Sequence, residues 1–125
     1  MPPTPPPTHL YKILPTAPPS PLPPTLPLSD LDKSDGFIHL STASQVPGTA
    51  ARFFADSAEL WLLKIRLDAV HGGVDGGEVK WEAVEIEGEV VEFPHLFGGE
   101  GLGVGNVEEV VRVERGMGWG GLRVE

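Results

Sequence analysis

At 125 residues and 13.4 kDa the chain is sized for one domain with a single core. Nine Lys plus Arg stand against eighteen Asp plus Glu, a formal net charge of −9, and the bases are scattered, which argues against a protein that wraps nucleic acid. The absence of cysteine excludes disulfides, thiol nucleophiles and thiolate zinc sites, and no apolar run approaches the ~18–20 residues that span a bilayer.

With no basic segment followed by an apolar run at the start, a soluble cytoplasmic protein is the default expectation. Charge is uneven: residues 1–64 hold five acids and four bases, residues 65–125 thirteen acids and five bases. Punctuation is uneven too. Twelve of the fourteen prolines lie in residues 1–27 and fourteen of the sixteen glycines lie after residue 70, so the two ends of the chain are interrupted by different means.

Residues 1–8 read as a proline-rich disordered leader, unable to bury itself, and residues 9–125 as the folded domain. His9 to Leu14 alternates and stops at Pro15, which predicts a first strand. Residues 15–28 carry too many prolines for helix or central strand and must form an extended strap, tacked down by Leu22, Leu26 and Leu28. Ser29-Asp30-Leu31-Asp32 is able to nucleate one turn before Asp35-Gly36.

Phe37 to Leu40 predicts a short apolar strand carrying one imidazole, followed directly by a Thr42/Gln45 capping box. Pro47 favours the first turn of a helix, so two helix starts fit. The main helix is expected over about residues 47–58, with Ala50, Phe53 and Phe54 facing a sheet. Glu59 to Leu67 then alternates, Trp61, Leu63, Ile65 and Leu67 against Leu60, Leu62, Lys64 and Arg66, and reads as the central strand.

His71-Gly-Gly-Val-Asp-Gly-Gly predicts a flexible loop without a phosphate-cradle spacing. Val79 to Ile86 and Glu89 to Phe93 read as strands joined at Gly88, and Phe93 to Gly98 as a loop with the His95 imidazole free. Asn106 to Glu109 looks like a capped single turn and Val110 to Glu114 like the last strand. Six short strands and one main helix make an α+β domain with small mixed or antiparallel sheets.

Leu10-Tyr11-Lys12-Ile13, Asp35-Gly-Phe-Ile-His39-Leu-Ser41-Thr42-Ala, Arg52-Phe-Phe-Ala55, Lys80-Trp81-Glu82 and Phe93-Pro94-His95-Leu96-Phe97-Gly98, in this order, resemble the domain of unknown function 952 family over about residues 9–115. The resemblance implies a fold similar to that of the ADP-ribosyltransferases, in which two small sheets form a cleft for NAD. His39-Leu40-Ser41, the following helix and the later strand with Trp81 also resemble the NAD-dependent RNA 2′-phosphotransferases. Those enzymes surround the phosphate with arginines, and none of Arg52, Arg66, Arg112 or Arg115 adjoins the histidine motif, a departure that puts capture of an RNA 2′-phosphate in doubt.

On these resemblances the catalytic set is His39, Glu82 and His95, and the cofactor-binding set is Tyr11, Lys12, Ser41, Thr42 and Trp81, for NAD or a related small nucleotide whose ADP-ribose is transferred or hydrolysed. Such a site needs donors for the diphosphate and ribose, a flat surface for nicotinamide and a carboxylate near the ribose. Each residue also has a plainer role: His39 as a satisfied buried histidine, Ser41 and Thr42 as caps, Trp81 as core, Glu82 as a solvated acid. No metal is expected, since His39 and His95, with His9 or His71, lack the short spacings of metal motifs. A non-catalytic interaction module that keeps the fold is the alternative from another class.

Overall fold

The computed structural model describes residues 6–71, 77–116, 118–122 and 124. Residues 1–5 of the leader and residues 72–76 of the first glycine-rich loop lie outside the described residues. Two three-stranded antiparallel sheets carry the fold. The first, sheet A, has the order β1 (His9–Leu14), β3 (Glu59–Arg66), β6 (Val107–Glu114), and the second, sheet B, the order β2 (Ile38–His39), β5 (Glu89–Phe97), β4 (Glu78–Ile86). Among the described residues three short α-helices complete it: α1 (Asp30–Asp35), α2 (Val46–Phe53) and α3 (Leu67–Val70). The architecture is α+β, as the alternating patterns imply.

Sheet A is the middle layer, because β1 and β3 are apolar on both faces. Leu10, Leu63 and Ile65 pack with Ile38, Val79 and Leu96 of sheet B. On the other face Tyr11, Ile13, Leu60 and Leu62 pack with Val46 and Ala50 of α2 and with Trp119. The even alternation of Glu59 to Leu67 thus serves two cores, and β3 lies centrally, as expected.

Several local expectations give way to specific contacts. The main helix ends at Phe53, short of residue 58, and the carbonyl of its cap residue Phe54 accepts from Ser57 N at 3.0 Å and from the Trp119 indole N–H at 3.0 Å. Val46 and Ala50 form its buried stripe, and Phe53, expected on the sheet, is 67% exposed. Leu67 leaves the strand to start α3. Asn106 closes a loop rather than capping a helix, its amide bonding Gly103 N at 3.0 Å and Gly101 O at 2.7 Å, and β6 begins at once at Val107.

The largest difference concerns Phe93 to Phe97, expected as a loop and found within the central strand of sheet B. Pro94 sits in that strand because its missing donor faces the end of a ladder. Leu40 N donates to Pro94 O at 3.1 Å, the proline returns nothing, and regular β2 pairing is confined to Ile38 and His39. The chain then crosses to sheet A, where Ser41 and Tyr11 exchange backbone bonds of 2.8 and 2.9 Å. This crossing joins the two sheets.

Thr42 and Gln45 do form the predicted box, around a 3-10 turn at Ala43–Gln45 that runs into α2. Thr42 N donates to Gln45 Oε1 at 3.0 Å, while Gln45 Nε2 donates to Glu92 O at 2.8 Å and fastens the helix start to β5. The strap is held by main-chain bonds, Leu26 N to Leu102 O at 2.6 Å and Val104 N to Pro23 O at 2.9 Å. Between these bonds, a Cβ on Gly103 would stand 2.0 Å from Pro24 O. Gly103→Ala must therefore displace the strap, and we expect urea denaturation to show a loss of about 2 kcal/mol or more, in the range of overpacking changes.

Candidate functional site

The site is built around α1, a six-residue helix whose ends are set by local chemistry. Ser29 caps it through a bond from Asp32 N, and Gly36, at φ 81, ends it in the left-handed region open to glycine. That reversal turns Phe37, Ile38 and His39 back beside the helix. It also brings Asp32 against the start of sheet B.

Asp32 is 2% exposed and fully engaged. Its Oδ1 accepts from His39 Nδ1 at 2.6 Å and His39 N at 3.2 Å, and its Oδ2 accepts from Lys12 Nζ at 2.7 Å. Lys12 Nζ also reaches His39 O at 3.3 Å. One carboxylate thus ties together β1, α1 and β2. Burial by itself pushes this carboxyl up, but the hydrogen bonds from Lys12 and His39 and the lysine charge outweigh it and hold the group below the ordinary carboxylate range.

His39 reaches Asp35 Oδ2 through its other nitrogen, Nε2, at 2.9 Å. With a carboxylate oxygen at each ring nitrogen, the ring donates to both only as the imidazolium cation. Beside it, His95 is the cross-strand partner of His39, the ring centroids being 5.3 Å apart, and its Nδ1 meets Glu82 Oε1 at 2.8 Å. Lys80 is the partner of His95 on the far side, so an amine and two imidazoles form one row across sheet B. Phe37 stacks on His95 at 4.3 Å and lies 4.7 Å from His39 and 4.8 Å from Phe97, whose ring also carries Lys80 Nζ at 4.7 Å.

The catalytic candidates His39, Glu82 and His95 are therefore brought together on one face of sheet B, and Lys12 joins them through Asp32. The imidazole of His95, expected free on a loop, is only 8% exposed beneath Phe37, while His39 is 29% and Glu82 43% exposed. The remaining candidates lie elsewhere. Tyr11 is buried in the core beside α2, Ser41 and Thr42 are buried at the crossing between sheets, and Trp81 packs from the opposite face of β4 against the inter-sheet core. His9 pairs with Glu108, and His71 Nδ1 accepts from Val79 N at 2.9 Å, so neither joins the histidine pair.

Sequence reasoning missed Asp32, Asp35, Phe37 and Lys80. The signal for Asp32 was present, since a Ser-x-x-Asp turn closed by Asp-Gly folds the following strand back onto its own helix. A further cavity, of about 310 Å³, opens on the same face of sheet B where α2 approaches the tip of the β4–β5 hairpin. Phe93, which lines it, lies one pleat from His95.

A domain of this fold is also found among proteins of known structure. The family described as "Protein of unknown function (DUF952)" matches residues 24–113, and the chain belongs to that family. The crystal structure of protein CC0527 from Caulobacter crescentus is 31% identical, with 86% of this chain and 87% of that one covered at a TM-score of 0.61. A double mutant of the same protein aligns over the same shares at 30% identity and a TM-score of 0.59. No curated protein matches this chain. Among the described residues, no helix is long and apolar enough to cross a membrane.

Replacing Asp32 by Asn leaves the part-buried Lys12 without its anion and takes from His39 one of its two. Loss of one partner from a buried pair predicts destabilisation of about 3 kcal/mol at neutral pH, measurable by urea denaturation. Because folding lowers the Asp32 pKa, its charge contributes stability that is present above about pH 4 and lost as the pH falls through the folded value. The acid limb of the stability curve is therefore expected to be shallower in Asp32→Asn than in the parent.

Proposed function

We propose that this protein binds a nucleotide of the NAD class across the His39–His95 face and transfers or hydrolyses its ADP-ribose, on an ADP-ribosyltransferase-like plan. The observation that supports this reading most is the pair of imidazoles set side by side, centroids 5.3 Å apart, each with its Nδ1 committed to a carboxylate. A ring anchored at Nδ1 holds its Nε2 in a fixed direction, at His39 toward Asp35, as an oriented acid or base requires. Lys80 beside them supplies a cation for a diphosphate, and Phe37 a flat ring for nicotinamide.

In this reading the bond between nicotinamide and ribose C1′ breaks with its electron pair leaving on nicotinamide. Glu82, through Oε2, faces the cationic ribose, since Oε1 is held by His95. An acceptor oxygen, water in the hydrolytic case, forms the new bond to C1′ and gives its proton to the Glu82–His95 pair. The diphosphate competes with Asp35 for His39 Nε2, and Phe37 leaves His95 to stack on the incoming ring.

A second reading, a non-catalytic module that keeps the fold for a protein partner, is favoured by the covering of His95 by Phe37 and by the burial of Tyr11, Ser41 and Thr42. One titration separates the two. Millimolar NAD is expected to move the His39 and His95 ring resonances, with the effect weakened in His39→Ala. Unchanged rings with NAD, ADP-ribose and nicotinamide alike leave the interaction module as the reading that stands.

A further inference from the structure

Gly48 is the third residue of α2, within a helical run entered from the 3-10 turn at Ala43–Gln45, and glycine is the least favourable ordinary helix residue after proline. Glycines in helices are usually explained by a left-handed backbone or by a close neighbour. Neither applies. Gly48 is not among the positive-φ glycines, and a Cβ built on it meets nothing within 4 Å. The fold gives it no task, yet it forms part of the wall of the cavity of about 310 Å³ between α2 and the β4–β5 hairpin.

The chemistry around that space is ordered. Ile86, Val91 and Phe93 supply an apolar wall from sheet B. Across from them α2 contributes Thr49 and Arg52, the one cation among the lining residues. At the rim stand Glu87, the first residue of a two-residue turn in which Glu87 and Gly88 both have positive φ, and Glu89, which follows that turn. Arg52 and Glu87 approach to 3.6 Å, too far for a hydrogen bond, so each keeps capacity for another partner.

We propose that this cavity binds a free α-amino acid with an apolar side chain. Its carboxylate pairs with Arg52 and Thr49, its ammonium with Glu87 and Glu89, and its side chain lies on Ile86, Val91 and Phe93. The absence of a side chain at Gly48 leaves room for it against the helix. The volume is at the small end of ligand sites, in keeping with one amino acid rather than a nucleotide. This site shares a sheet face with the histidine pair but none of its residues.

The test is an amide-shift titration of the full chain with L-phenylalanine and L-leucine. Saturable shifts confined to residues 44–52 and 86–93 are expected. Gly48→Leu fills the space and should abolish those shifts while leaving the Tm equal to or above the parent's, since the helix gains a better former. Arg52→Gln should weaken binding by about tenfold or more, the loss of one charge-assisted contact. Phenethylamine, which lacks the carboxylate, should bind no better to the parent than to Arg52→Gln. Absence of shifts at millimolar amino acid, unaltered binding in Gly48→Leu or Arg52→Gln, or a lowered Tm in Gly48→Leu overturns the proposal. His39→Ala leaves this titration unchanged, so it stands or falls apart from nucleotide binding.

Discussion

The structure depends on one buried carboxylate. Asp32 gathers Lys12 from β1, the His39 ring and the His39 backbone N–H from β2, all from a six-residue helix that would not persist alone. A buried ion pair is weak evidence for stability, because desolvating both partners costs several kcal/mol that their attraction only roughly offsets. Its effect here is geometric. An ammonium, an imidazole and an amide converge on two oxygens, and few arrangements of α1 and β2 satisfy all three. The imidazole is then fixed in direction before any ligand arrives.

The second constraint is the register of sheet B. Pro94 accepts from Leu40 without donating, which ends regular pairing with β2 and releases the chain to cross to Tyr11. At the other end, the Glu87-Gly88 turn sets the β4–β5 pairing from Ile86↔Glu89 to Glu78↔Phe97. Between these two fixed points every odd residue of β5 faces outward and Pro94 and Leu96 face the core. A slip by one residue would put His95 inside and Leu96 outside, so register is enforced by the cost of burying the wrong set.

How much of this could be read in advance follows from which interactions are local. Strands β1, β3 and β4 were legible because alternation is a property of the segment itself, and the Thr42/Gln45 box because its partners are three residues apart. The end of α2 was not legible, since one of the two donors on the carbonyl of its cap residue Phe54 is Trp119, sixty-five positions away. Residues 93–97 were misread as a loop for a related reason: a proline argues against a central strand unless the neighbouring ladder ends there, and that ending is a tertiary fact. His39, Glu82 and His95 lie together on one face with His95 covered rather than open, and Asp32 and Phe37, which orient and cover them, gave no signal beyond a turn and an apolar position.

Sheet B divides its labour by the period of a strand. One face supplies Ile38, Val79 and Leu96 to the core, and the other carries the histidine row and, one pleat along β5, the wall of the cavity beside α2. Both polar features are therefore spaced by the same backbone and cannot move independently of it. Gln45 adds a third hold, since its side chain satisfies Thr42 N and Glu92 O together and so fixes α2 against the strand on which His95 lies.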